Sequence, residues 1–145
     1  MIEIRSIKAG QTHQIRKQEL RKNVSLSHEM AGDEEPDTLH LGIFFAGELV
    51  GIVSLMRASI PFFKEDSPQY QIRGMATSGM HQGKGFGKRL LKEAENRLKA
   101  MGVEMVWCNA RVVALDFYLK MGYVIHGTIF ELPEIGPHYK MCKRL

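Results

Sequence analysis

Gln82-Gly83-Lys84-Gly85-Phe86-Gly87, running on into Lys88-Arg89-Leu90-Leu91, decides how this chain is read. The glycines at 83, 85 and 87 follow a strand-like stretch (Tyr70 to Thr77) and open an amphipathic helix. Peptide N–H groups in the first turn of a helix have no internal partner, and the macrodipole places partial positive charge there. Glycine removes the side chains that would hold an anion away from those groups. Lys84, Lys88 and Arg89 add full charges beside them. The segment is expected to hold a phosphorylated ligand, a diphosphate above all.

Two familiar phosphate loops do not fit. The pattern G-x-x-x-x-G-K-[ST] fails because Arg89 follows Gly87-Lys88 and Gln82 stands where its first glycine belongs. The dinucleotide fingerprint G-x-G-x-x-G needs glycine where Leu90 stands if it begins at Gly85, and where Lys88 stands if it begins at Gly83. No carboxylate closes the following strand, which ends near Cys108-Asn109. The pattern that is met is Q/R-x-x-G-x-G/A, by Gln82, Gly85 and Gly87. Farther on, Ala114, Tyr118, Gly122 and Tyr123 satisfy A-x-x-x-Y-x-x-x-G-F/Y, at an interval suited to helix, strand, helix.

With these two ordered motifs the chain resembles the GNAT N-acetyltransferase superfamily, well over residues 39–131 and more loosely at the amino-terminal helix. The resemblance implies acetyl-CoA as co-substrate, its pyrophosphate on Gln82, Gly83, Lys84, Gly85, Phe86, Gly87 and Lys88. It implies that the backbone of Met75, Ala76 and Thr77 meets the pantetheine arm and the thioester carbonyl, where that strand splays from its neighbour at a bulge. Read alone, Ile72 to Thr77 is equally a core strand with Gly74 marking a bulge. Tyr118 becomes the candidate general acid, since a phenol (pKa about 10) can protonate a leaving thiolate (about 8.5). A tyrosine at apolar helical spacing with Phe117 and Met121 is otherwise a packing residue. Where the superfamily often carries asparagine before the helix alanine, this chain has Arg111, with Asn109 two residues earlier. Both are cofactor candidates, and Arg111 could equally cap a helix or pair with a substrate carboxylate.

Working outward, 145 residues suffice for one domain around one core. No apolar run reaches membrane-spanning length, and the start Met1-Ile2-Glu3-Ile4-Arg5 lacks a signal-like apolar core. The two cysteines, Cys108 and Cys142, have no C-x-x-C spacing, so reduced thiols and a cytoplasmic protein are expected. The excess of four positive charges gathers near the glycine loop without a basic stripe or interleaved aromatics. Nucleic acid is not expected as a partner. The six histidines are scattered, and no metal is expected. A homodimer is compatible with the sequence, which does not select an oligomeric state.

Periodicity predicts β-α-β-β-β-α-β-α-β-β: an α+β, mixed and mostly antiparallel sheet flanked by helices. The elements are a strand at Ile2–Ile7; a helix over Gln11–Asn23 with Ile15, Leu20 and Val24 apolar; and a hairpin turning at Ala46-Gly47-Glu48. A loop between Pro61 and Pro68 precedes the strand at 70–77. A helix over Lys84–Met101 should bury Leu90, Leu91, Ala94, Leu98 and Met101, with Glu93–Arg97 and Glu95–Lys99 pairs on its solvated side. Strands at 103–108, 123–131 and 138–144 complete the sheet. The acceptor is left open. The acidic run Asp33-Glu34-Glu35 would suit a polyamine, an aminoglycoside or a lysine side chain, or is a solvated loop. Arg57, Arg73 and His138 would suit an amine carrying a carboxylate. His138, Glu131 and Glu134 are candidates for a general base, bound water being the alternative. The activity expected is acetyl transfer to a primary amine by direct attack, the alternative being a non-catalytic acyl-CoA sensor.

Overall fold

The hairpin at Ala46-Gly47 forms. β2 (Leu39–Phe45) and β3 (Glu48–Arg57) run antiparallel with Phe45 facing Glu48. Both turn residues hold positive φ (50° and 83°), the twist that suits a two-residue connection. β1 (Ile2–Ser6) pairs with β2 on one side, and β4 (Gln69–Thr77) pairs with β3 on the other, both antiparallel. This computed structural model describes residues 1–60 and 68–145, so most of the loop expected between Pro61 and Pro68 lies outside the described residues.

After β4 the chain crosses through α2 (Phe86–Ala100) into β5 (Met105–Arg111), which makes with β4 the one parallel pairing among the described residues. α3 (Leu115–Lys120) then leads to β6 (Val124–Ile125), β7 (Phe130–Leu132) and β8 (Gly136–Arg144). The order is β1-β2-β3-β4-β5-β8-β6, with β7 also on β8. The expected strand over 123–131 is thus two short pieces. His126 N–H still bonds the Lys140 carbonyl (2.8 Å), Gly127 then has φ 87°, and pairing with β8 resumes at Phe130–His138 shifted by two residues.

One face of the sheet carries α2 and α3. Leu90, Leu91, Ala94 and Leu98 pack there on Leu41, Ile43, Val53, Leu55, Ile72, Val106 and Met141, all buried. Met101, expected among them, is exposed at the helix end. Glu93–Arg97 forms on the solvated side (2.9 Å), but Glu95 turns inward and is nearly buried. Its carboxylate accepts from Lys143 Nζ (2.8 Å) and from the Tyr123 hydroxyl (2.7 Å) rather than meeting Lys99. Position 95 lies one helical turn after Leu91, which puts it at the edge of the apolar stripe.

The other face carries α1 (His13–Glu19), entered through a 3-10 turn at Ala9–Thr12. This helix is shorter than the pattern suggests and buries a different side. Ile15 is buried, but Leu20 and Val24 are only partly so, and Arg16 is fully buried. Arg16 forks onto Asp33 (2.8 and 3.0 Å) and donates to the His28 carbonyl and Ser54 Oγ (each 2.9 Å). Burial alone would raise the Asp33 carboxyl; hydrogen bonds from Arg16 and the Met30 N–H, and the Arg16 charge, hold it below the usual carboxylate range.

Candidate active site

β4 and β5 pair only from Gln69–Met105 to Ile72–Cys108. Past that point each strand follows its other neighbour. Ala76 and Thr77 face Ile52 and Gly51 of β3, while Asn109, Ala110 and Arg111 face Lys140, Tyr139 and His138 of β8. The cause is a bulge: Gly74 and Met75 together lie against Val53. Gly74 holds φ 57°, where an L side chain is strained, and a Cβ there would come within 3.1 Å of Arg16 Nε, a tight contact, so glycine is favoured on both counts. The divergence opens a cleft of about 420 Å³. Its lining comes from both sides of the sheet, because successive strand residues point to opposite faces.

On the α2–α3 side the lining includes Ile72, Met75, Cys108, Ala114 and Tyr118. Tyr118 is set by the end of its helix. Gly122 N–H bonds the Leu119 carbonyl and Tyr123 N–H the Tyr118 carbonyl (3.0 Å each), a Schellman closure that needs glycine at 122 (φ 93°). The ring packs edge-on to Phe117 (5.1 Å) and Tyr123 (5.4 Å). Among described residues the hydroxyl has one partner, Met75 Sδ at 3.7 Å. Burial, and then the nearby Cys108, push its pKa well above the usual phenol value, so it stays protonated.

The glycine loop adjoins this side. Gly83 (φ 77°) and Gly85 (φ 82°) are left-handed, and Gly85 caps α2. No N–H from 83 to 88 bonds a described residue; the first that does is Arg89, to the Gly85 carbonyl (3.2 Å). The Gln82 side chain ties the loop down, donating to the Thr77 carbonyl (3.0 Å) and to Glu19 (3.2 Å). Phe86, expected in the anion loop, buries its ring against Phe45 (5.5 Å), leaving only its backbone for that role.

On the α1 side the lining includes Arg21, Met30, Arg73, Asn109, Arg111 and His138. Asn109 accepts from Lys140 Nζ (2.8 Å). Arg111 and Arg21 both donate to the Leu20 carbonyl at the end of α1 (2.9 and 3.3 Å). His138 is buried on β8 rather than at a loop surface and stacks on Phe130 (5.8 Å). Its Nδ1 lies 2.7 Å from the Gly136 carbonyl, which can only accept. Nδ1 therefore carries a proton, which leaves Nε2 as the nitrogen that any other partner would meet. Glu134 is taken up by Ser25, which holds its carboxyl below the usual value through hydrogen bonds from its hydroxyl and N–H. Glu131 is exposed, and neither it nor Glu134 lines the cleft. Among described residues one trio offers ligand atoms within 4.8 Å of one another, His13, His28 and Glu29, and none of them lines the cleft.

The profile describing the Acetyltransferase (GNAT) family matches residues 3–123. The chain is 37% identical over 146 residues to the "Uncharacterized N-acetyltransferase YitI" of Bacillus subtilis (strain 168), covering 100% of this chain and 97% of that one. This chain belongs to the acetyltransferase (GNAT) family. Two solved structures share its fold at low identity. Escherichia coli ElaA aligns with TM-score 0.79 and 19% identity over 99% of each chain. An aminoglycoside 6'-N-acetyltransferase complexed with coenzyme A aligns with TM-score 0.74 and 15% identity over 98% of this chain and 96% of that one.

As a GNAT protein the chain is an acetyl-CoA-dependent acyltransferase. The sheet is the GNAT sheet, mixed and mostly antiparallel, with three α-helices among the described residues. Of the residues singled out from sequence, Met75, Asn109, Arg111, Tyr118, Arg73 and His138 come together around one cleft. Sequence reasoning did not find Arg21 or Met30. Both follow α1, on a segment whose course is fixed by the Arg16–Asp33 pair, and no local pattern marks them.

Proposed function

We propose that this enzyme moves an acetyl group from acetyl-CoA to a primary amine by direct attack, with both substrates bound at once. The splay of β4 from β5 carries the reading, because it makes one cleft reachable from both faces of the sheet. The donor would lie on the α2–α3 side, its diphosphate on the free N–H groups of 83–88 with Lys84, Lys88 and Arg89 beside them. The open edge of β4 at Met75, Ala76 and Thr77 would hold its arm. Backbone N–H groups fixed by the β3 ladder need no reorganisation as charge develops on the carbonyl oxygen.

Tyr118 would give a proton to the departing thiolate, and His138 Nε2 would take one from the incoming amine. Direct attack is supported by the cysteines. Burial, and then Cys142, push the Cys108 thiol up to about 12, and burial raises Cys142 as well. Neither is a ready nucleophile at neutral pH. Both are free thiols, as a cytoplasmic setting allows, and no helix among the described residues is long and apolar enough to cross a membrane.

The test is incubation with acetyl-CoA and a panel of amines, reading thiol release and product mass together. Thiol released in step with acetylated amine is expected. Coenzyme A binding without transfer to any amine would leave a sensor in place of an enzyme.

A further inference from the structure

The α1 side of the cleft carries three arginines and no acid. Arg21, Arg73 and Arg111 line it, no lining residue is Asp or Glu, and none of the three arginines forms an ion pair with a described residue. Arg21 and Arg111 converge on one carbonyl, that of Leu20. Arg73 has no hydrogen-bond acceptor among described residues, although it is partly buried on β4 between Ile72 and the bulge. The acids nearest in the chain are committed elsewhere: Asp33 to Arg16, Glu19 to Gly79 N–H and Gln82, Glu134 to Ser25. The charge of Asp33 still reaches Arg73, and Glu19 and Glu134 share the adjoining pocket with Arg111, but no acid enters the cleft lining itself. Cations gathered in a partly desolvated recess and outnumbering the acids that face them cost free energy until an anion fills it.

We infer that the acceptor is an amine bearing a carboxylate, which Arg73, Arg111 and Arg21 would grip while its amino group faces His138. The inference rests on the transfer reaction proposed above and names its substrate class. The mutual crowding is visible in Arg21, whose pKa is lowered by burial first and then by Arg111, Arg73 and Arg16. A guanidinium forks onto a carboxylate through two parallel bonds, which fixes orientation as well as charge. The donor's diphosphate is a poor occupant here. Arg73 and Arg111 point away from the α2–α3 face, as their neighbours Ile72 and Ala110 belong to the core on that face. A polyamine or other polycation is disfavoured by the same charges.

The experiment compares L-glutamate, L-leucine and L-lysine with their carboxamides, and with dipeptides whose carboxylate lies one residue farther from the amine. Acetylation is followed in the wild type, Arg73→Gln and Arg21→Gln. Glutarate, which has no amine, is titrated into each protein by calorimetry, and coenzyme A binding is measured alongside. Expected is a preference of tenfold or more in kcat/KM for carboxylates over carboxamides, falling toward unity in Arg73→Gln through KM, with coenzyme A affinity held. Preference for free amino acids or for dipeptides tells which source carries the carboxylate. Equal use of carboxamides, or a loss of coenzyme A affinity in place of acceptor affinity, would overturn the inference and leave acetyl transfer standing. If no amine is acetylated, the transfer reading fails by itself. Glutarate then decides: heat present in the wild type and absent in both variants upholds the carboxylate site, and no heat in the wild type removes it. Arg21→Gln lies outside the sheet and keeps the test open should Arg73→Gln fail to fold.

Discussion

Replacing Gly85 and Gly87 separately by alanine isolates what each glycine does. Gly85 holds φ 82° and ψ 7° at the start of α2, and a Cβ there would meet nothing within 4 Å. The cost of Gly85→Ala is therefore conformational, roughly 1–2 kcal/mol for an L-residue in the left-handed region. Gly87 lies inside the first turn without positive φ, and its Cβ would make ordinary contacts with Phe117 (3.6 Å) and Thr77 (3.7 Å). Alanine there should gain about 0.5–1 kcal/mol, the usual penalty of glycine in a helix removed. At about 2–4 °C per kcal/mol, Gly85→Ala should melt about 2–8 °C below the wild type and Gly87→Ala slightly above it.

Coenzyme A separates binding from folding. At one hundred times its Kd a ligand adds about 2.7 kcal/mol to stability, about 5–10 °C here. Scanning calorimetry with and without coenzyme A should show that rise in the wild type and a clearly smaller one in Gly85→Ala, whose strained cap turns N–H groups away from the anion. A Gly85→Ala protein that melts with the wild type would refute the left-handed cap. One that keeps the full rise would refute binding by the loop N–H groups.

Tyr118→Phe should cost less than about 1 kcal/mol of stability, since the hydroxyl meets only a thioether, and lower kcat roughly 10²–10⁴-fold. An unchanged kcat with an unchanged melting temperature would return Tyr118 to a packing role. Asp33→Asn strands the buried Arg16 guanidinium and should cost about 3–5 kcal/mol in denaturant unfolding. Because folding lowers the Asp33 pKa, its stabilisation is present above the unfolded value of about 4 and fades as pH falls through the folded one. The wild type should therefore lose stability steeply below about pH 4, and Asp33→Asn less so. Iodoacetamide at pH 8 should leave Cys108 and Cys142 unmodified in the native protein, and intact mass should show both adducts once it is unfolded.

What the sequence disclosed was local. The glycine loop as a helix start, the Tyr118 helix and the Ala46-Gly47 turn are each spelled by residues within a few positions of one another, and each of these elements forms. Gly74 as a bulge was legible for the same reason. Features set by distant partners were not. Arg16 looks like a solvated helix residue until Asp33, His28 and Ser54 converge on it. Glu95 looks like half of a surface pair until Tyr123 and Lys143 reach it from beyond the next strand and helix. The segment 123–131 has strand composition throughout, but only register against β8 shows where pairing stops.

Gly74 links the two halves of the site physically. Its bulge turns β4 away from β5 and so opens the cleft in which the donor is proposed to lie. Its missing side chain leaves room for Arg16, and Arg16 pairs with Asp33. The acidic run that suggested a polyamine stays together but off the cleft: Asp33 pairs with the buried Arg16, and Asp33, Glu34 and Glu35 line a separate pocket beside residues 7–11. What remains on the α1 side is Arg21, Arg73 and Arg111, supplied by a segment after α1, by β4 and by β5. On the acceptor class inferred above, changing the segment after α1 would alter which acceptor fits without moving the loop or Tyr118. Changing Gly74 would disturb both at once, so under the proposed reaction the backbone that shapes the donor slot also constrains the charge the acceptor meets.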